Sequence, residues 1–204
     1  MNKKLIVATA ACAALLVGSI STSLAWLMDD AAPVTNTFDP STIGVELEET
    51  TTSYKMIPGW DISKDPKAWV TTGSEDAILF VEVTESANFD TFMTYAIAEG
   101  WTLLTDNSMT GNNIVTDGTT NGTYVIYRKV TSSNEDAYDD IGTEYQVLAG
   151  NTVSVKGGVT KEMMPADESS KPTLTFTAYA HQLYQKSGTE FNPVDAWRNL
   201  KPTT

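Results

Sequence analysis

The side chains that most often carry catalysis are scarce in this sequence. His181 is the single histidine among 204 residues, and the one cysteine, Cys12, lies in an apolar N-terminal stretch. The chain has no His-Glu-x-x-His zinc motif, no Gly-rich phosphate loop and no Gly-x-Ser-x-Gly elbow. A Ser-His-Asp triad would have to use His181, whose strand-like surroundings favour a packed or solvated histidine over a general base. We therefore expect that this protein is not an enzyme and has no catalytic residues.

Acidic residues are the remaining candidates for chemistry. Residues 135–140 (EDAYDD) could offer oxygens to calcium, but they lack the ligand spacing and the turn glycine of an EF-hand loop. A solvated acidic loop is the favoured interpretation of this charge run. Carboxylate pairs can hydrolyse glycosides, but among 26 acidic residues chance pairs are expected. We expect no metal ion and no cofactor.

The five tryptophans could form a carbohydrate-binding platform. Trp69, Trp101 and Trp197 fall on the apolar side of strand or helix patterns, where core packing is the usual role of an aromatic ring. Trp26, in the N-terminal part of the chain, and Trp60, beside a Pro-Gly turn, are the two that the sequence predicts to be exposed.

Short stretches of alternating apolar and polar residues run through most of the chain. They predict eight or nine strands, with the clearest at 43–48, 67–72, 77–84, 101–104, 122–130, 144–148, 151–155 and 173–182. Residues 77–84 are apolar on both faces, as in a central strand. The sequence thus predicts an all-β domain, a jelly-roll-like two-sheet antiparallel sandwich. An immunoglobulin-like sandwich is the alternative, which the length and the helical segments disfavour.

Two segments show helical spacing instead. Residues 88–100 place apolar side chains at i, i+3, i+4, i+7 and i+8, with Asn88 as the expected cap. Near the C-terminus, Asn192-Pro193 followed by Val194 and Trp197 predicts a closing helix with Asn at the cap and Pro in the first turn.

The N-terminal 25 residues have the pattern of a secretory signal peptide. Two lysines precede an apolar stretch over residues 5–20, and Ser23 and Ala25 provide small side chains at a cleavage site before Trp26. A retained membrane anchor is the alternative, but a spanning helix needs about 20 strongly apolar residues. We expect cleavage between Ala25 and Trp26, release from the membrane, and secretion to the cell surface or extracellular matrix.

The composition after Ala25 limits the possible partners. Those 179 residues contain no cysteine and carry 26 acidic against 11 basic residues, because Lys3 and Lys4 leave with the signal peptide, giving a net charge of −15. Nucleic acids and anionic membranes are polyanions that recruit basic clusters, so both are disfavoured as partners. We expect one domain over residues 39–204, held together by its core without disulfides.

Residues 26–38 form an apolar segment at the expected new N-terminus. The apolar side chains that share one strand face are Trp26, Met28, Ala32, Val34 and Phe38, and Asp30 interrupts this face. Such a period-2 face suits β-augmentation, in which an extended segment adds a strand to the sheet of another molecule. The alternative is that these residues form an edge strand of their own domain, since exposed edges are normally covered.

Several of these stretches together resemble the TasA/camelysin family. The likeness is carried by residues 23–29 (SLAWLMD), 34–38 (VTNTF), 43–48 (IGVELE), 55–59 (KMIPG), 62–66 (ISKDP), 73–76 (GSED) and 176–182 (FTAYAHQ). Family members have a signal peptide cleaved by the dedicated ER-type signal peptidase SipW. This chain departs from the family at Pro33, which would interrupt a long donated strand, and over residues 88–140.

The resemblance implies a jelly-roll subunit of extracellular fibres in biofilms of monoderm bacteria. Each subunit would donate its N-terminal segment to the next one in a head-to-tail homopolymer, and other matrix subunits are further expected partners. Camelysin has also been classed as a metallopeptidase, but this chain offers no residues to which that activity could be transferred. A monomeric secreted adhesion or binding module is the alternative function.

Overall fold

The computed structural model describes residues 41–50, 54–105, 122–133 and 137–201, and the protein is all-β in this part of the chain. Two helices, α1 (Phe89–Phe92) and α2 (Pro193–Leu200), accompany the strands. The strands are β1 (Val45–Glu48), β2 (Asp61–Ser63), β3 (Lys67–Val70), β4 (Ala77–Glu85), β5 (Met93–Thr94), β6 (Thr102–Leu103), β7 (Thr123–Thr131), β8 (Asp139–Asp140), β9 (Tyr145–Gln146), β10 (Thr152–Val155) and β11 (Leu174–Gln182). The predicted fold class is confirmed, whereas the jelly-roll arrangement stays a prediction.

The described strands form three sheets. The largest has the antiparallel order β11-β4-β7-β6, and β8 adds to β7 in parallel. The two smaller antiparallel sheets have the orders β1-β3-β9 and β2-β10-β5. Val81 on β4 pairs with Ala178 on one side and Ile126 on the other, which confirms the central position predicted for residues 77–84.

Strand β4 separates two apolar cores. One face of its sheet contributes Leu79, Val81 and Val83 to a core shared with the smaller sheets and α1. The opposite face contributes Ile78 and Phe80 to a second core beneath α2. Both faces are therefore buried, as an uninterrupted apolar strand requires.

The closing helix α2 forms where the sequence predicts it. The side-chain oxygen of Asn192 accepts a hydrogen bond of 2.9 Å from the Val194 N–H, which satisfies one of the unpaired donors of the first turn. Trp197 is buried and its ring lies 5.4 Å from that of Phe80. Among the described residues, no helix has the length and hydrophobicity that a transmembrane span requires.

The predicted helix over residues 88–100 is wrong beyond its first turn. Helix α1 ends at Phe92, Met93–Thr94 continues as an extended strand against β10, and Ile97 bridges to Leu148. The Asn88 side chain does not cap the helix; its amide donates to the Ser170 carbonyl instead. Backbone pairing with neighbouring strands outweighs the helical spacing here, in a segment with β-branched and aromatic residues.

The predicted burial of the tryptophans is partly wrong. Trp197 is buried and Trp60 is 63% exposed, both as predicted. Trp69 is only half-buried, because Ala68 and Val70 occupy the inner face of β3. Trp101 is also half-buried, and its indole N–H donates to the Gln146 carbonyl at 2.7 Å. Trp26 lies outside the described residues.

Candidate functional site

A groove of about 870 Å³ lies between the three-residue strand β2 and the start of β11. We call it the lysine-rimmed groove. Most of its lining residues are apolar, but polar atoms form nearly half of its surface. The lining residues are Tyr54, Lys55, Met56, Ile57, Ile62, Lys64, Phe89, Met93, Val153, Met164, Pro165, Lys171, Pro172, Thr173, Leu174 and Thr175.

Two sheet edges flank the lysine-rimmed groove. Strand β2 pairs with β10, where Ile62 lies opposite Val153. Strand β11 pairs with β4, beginning with Leu174 of β11 opposite Glu85 of β4. Neither β2 nor β11 is hydrogen-bonded to a second described strand, although β1 lies beside β11. Each therefore presents backbone N–H and C=O groups at an edge, which is the surface that an added strand uses.

The Pro-Gly turn predicted after Ile57 builds one end of the groove. The Trp60 N–H donates to the Ile57 carbonyl at 3.1 Å, and Gly59 adopts a φ of 75°, which a residue with a Cβ would adopt only with strain. The Gly59 N–H also donates to the Val155 carbonyl at 3.1 Å, which ties the turn to β10. The turn leaves Ile57 42% exposed beside the groove.

The groove is basic in an acidic protein. Lys55, Lys64 and Lys171 line it, and no Asp or Glu is among its described lining residues. The whole chain has a net charge of −13. A local concentration of lysines in this setting favours an acidic or neutral partner.

Lys64 has a structural role in this wall. It is 8% exposed, and its ammonium pairs with the Glu49 carboxylate at 2.5 Å and lies about 5 Å from the ring centres of Tyr54 and Phe176. The Tyr54 hydroxyl donates to Glu49 at 2.7 Å. Burial and this hydrogen bond raise the pKa of Tyr54 above its usual value, so the hydroxyl stays neutral. Lys55 and Lys171, by contrast, are exposed on the rim of the groove.

The residues predicted from the N-terminal pattern lie outside the described residues. These are the cleavage-site residues Ser23, Ala25 and Trp26 and the donor-segment residues Trp26, Met28, Ala32, Val34 and Phe38. The groove itself was not predicted. Its only sequence signal is weak: Lys55 and Lys171 each stand near a proline where the strand alternation is interrupted.

The histidine and the acidic residues considered for catalysis or metal binding make contacts that stabilise the fold. His181 packs against the Phe191 ring at 4.6 Å, with Nδ1 2.8 Å from the Gln182 carbonyl oxygen and Nε2 3.4 Å from the Asn199 amide. The solvated loop predicted over residues 135–140 is wrong at its end, because Asp139 and Asp140 form β8 beside β7 and Asp139 pairs with Arg128 at 3.4 Å. Within the described ranges, no three His, Cys, Asp or Glu side chains are grouped as metal ligands would be.

Comparison with known proteins gives no family assignment. No family model, curated protein or solved structure matches this chain. The groove, its charge and the N-terminal sequence pattern are therefore the features that bear on function.

Proposed function

We propose that this protein is a secreted structural subunit of extracellular matrix fibres, in line with its resemblance to the TasA/camelysin family. Each subunit donates residues 26–38 to the lysine-rimmed groove of the next subunit. The observation that carries this proposal is an apolar groove between two sheet edges, with lysines on its rim and no described acidic residue in its lining.

The donor segment matches the groove in side-chain chemistry. Its even-numbered apolar residues, among them Trp26, Val34 and Phe38, would fill apolar pockets, while its backbone would pair with an edge. Burial of each large apolar side chain contributes about 1.5–3 kcal/mol. Association costs about 4–15 kcal/mol, so several anchors must act together.

The charges also match. Residues 26–38 contain Asp29 and Asp30 and no Lys or Arg. The groove offers the exposed Lys55 and Lys171. Exposed ion pairs contribute only about 0.2–1 kcal/mol each, so they orient the segment more than they hold it.

Polymerisation follows from the geometry of such a contact. The donated segment and the accepting groove are different surfaces of the same chain, so the interface is heterologous. A heterologous contact whose rotation does not close produces an open filament. One segment and one groove per subunit are sufficient.

Electron microscopy of two forms of the protein tests this function. Protein that begins at Trp26, verified by intact mass, should form filaments. Protein without residues 26–38 should stay folded and monomeric and should bind a synthetic peptide of residues 26–38. Unfolding of the shortened protein would instead identify these residues as a strand of their own domain.

Variants of the groove locate the acceptor. Lys55→Glu combined with Lys171→Glu should weaken peptide binding, whereas Lys186→Glu, at an exposed lysine outside the groove lining, should not. Equal binding by all variants would place the acceptor elsewhere. A full-length protein that stays monomeric and binds no peptide would favour the secreted adhesion module.

A further inference from the structure

A second cavity, of about 350 Å³, has a carboxylate in its wall. We call it the Glu85 cavity. Glu85 is the last residue of β4, Asp90 lies on α1, Tyr95 follows β5, and Tyr124 lies on β7. Trp101 adds an aromatic wall. The volume lies in the lower part of the range for small-molecule sites, about 300–1,000 Å³.

Glu85 is buried with half of its hydrogen-bonding capacity unused. It is 8% exposed, and its Oε1 accepts from the Tyr95 hydroxyl. Its Oε2 is also buried and receives no hydrogen bond from any described residue. Buried polar atoms in folded proteins are nearly always paired, so this oxygen calls for a donor from outside the described residues.

The neighbouring tyrosines cannot supply that donor. The Tyr95 hydroxyl has one proton, which it gives to Glu85. The Tyr95 and Tyr124 oxygens are 2.7 Å apart, so Tyr124 must donate to Tyr95. Burial raises the pKa of both hydroxyls far above the usual value, and both stay neutral.

The cavity is electrostatically suited to a cation. Glu85 and Asp90 line it, and no Lys, Arg or His is among its described lining residues. The Lys156 ammonium lies outside this lining and donates to the Asp90 backbone carbonyl. Arg128 lies 4.7 Å from the Trp101 ring centre but is paired with Asp139 and does not line the cavity. Aromatic faces attract an organic cation as well.

We propose that the Glu85 cavity binds the protonated primary amine of a small molecule. An ammonium group has three donors, of which one would satisfy Glu85 Oε2 once the carboxylate turns this covered oxygen toward the cavity. A calcium ion would need six to eight oxygen ligands, more than the two carboxylates here provide. An amino sugar and an alkyl diamine share the required chemistry.

Isothermal titration calorimetry of the intact protein at pH 7 tests the amine requirement. Glucosamine or cadaverine should bind saturably, whereas glucose and N-acetylglucosamine, which lack the ammonium group, should not. Tighter binding of glucosamine would identify an amino sugar as the ligand, and tighter binding of cadaverine an alkyl amine. Equal binding of glucosamine and N-acetylglucosamine, or no binding of either amine, would overturn the proposal.

Two variants locate the site. Glu85→Gln keeps the shape and should weaken amine binding at least about tenfold, because a hydrogen bond to a charged group is lost. Asp90→Asn should weaken it less. The matched control Glu75→Gln removes the same charge from an exposed position outside the cavity and should bind as the unmodified protein does. Unchanged binding by folded Glu85→Gln would exclude this cavity as the site.

Discussion

The lysine-rimmed groove and the Glu85 cavity lie in one domain but have opposite charge. The groove is lined by three lysines and the cavity by two carboxylates. The groove is open along two sheet edges and suits an extended chain, whereas the cavity is smaller and centres on one buried carboxylate. The comparison indicates that net charge, here −13, says little about what an individual site can bind.

The two sites also differ in how their charges are stabilised. In the groove, the buried ammonium of Lys64 has Glu49 and two aromatic rings around it. In the cavity, Glu85 Oε2 has no described donor. A satisfied buried charge supports structure, while an unsatisfied one identifies a place where a ligand would improve stability.

The largest effect is expected from charge placed in the donor segment. Trp26→Asp combined with Met28→Asp should abolish filaments, because two large apolar anchors are lost and two carboxylates would have to be buried in apolar pockets. The melting temperature of the monomer should not fall. Electron microscopy and circular dichroism measure the two quantities. Filaments of normal length from this variant would contradict the donor role of residues 26–38.

The next largest effect, a loss of stability, is expected from removal of the Lys64 ammonium. Lys64→Ala leaves the half-buried Glu49, which lies behind the groove wall, without its cation, and the free energy of unfolding should fall by about 3 kcal/mol. Urea denaturation followed by fluorescence measures this loss. Lys186→Glu, at an exposed position, should change stability by less than about 0.5 kcal/mol. Equal effects of the two changes would show that the buried pair has no structural role.

Glu85→Gln should raise the free energy of unfolding, in contrast to Lys64→Ala, which should lower it. Burial, with a contribution from Asp90, raises the pKa of Glu85, so folding favours the protonated carboxyl. The stability that this group contributes is fully present below its unfolded pKa and is lost as pH rises through the higher folded pKa. Because Gln imitates the protonated form, the variant should be more stable at pH 7 by about 1 kcal/mol.

Denaturation curves at several pH values test this sign. The advantage of Glu85→Gln should shrink toward about pH 4, where an ordinary Glu is itself largely protonated. A variant less stable than the unmodified protein at pH 7 would mean that the ionised carboxylate is well solvated or paired. If Glu85→Gln gains stability and loses amine binding, then Glu85 serves ligand binding and not the stability of the fold.

The smallest effect is expected at the rim of the groove. Lys55→Glu with Lys171→Glu should reduce peptide affinity by about two- to thirtyfold, as the loss of two exposed ion pairs predicts. The loss should diminish in high salt, because exposed charges are screened. Binding measured by fluorescence anisotropy at two salt concentrations distinguishes this from a loss of apolar packing, which salt would not restore.

Local sequence patterns determined much of the fold. Residues 77–84 are mostly apolar on both faces and form β4. Residues 173–182 alternate between apolar and polar side chains over their first half and form β11. Asn192 and Pro193 predicted the start of α2, because capping depends on residues adjacent in the chain. The prediction over residues 88–100 failed because its outcome depended on β10, some 60 residues away, which offered backbone partners.

Both sites were decided by the tertiary structure. Lys55, Lys64 and Lys171 line one groove although more than 100 residues separate the first from the last. Glu85, Tyr95 and Tyr124 meet only after β4 and β7 pair. The sequence by itself determined the all-β class, the apolar pattern of residues 26–38 and the net charge, because these depend on composition and short-range periodicity. The sites depend on strand pairing between distant segments, which no local pattern encodes.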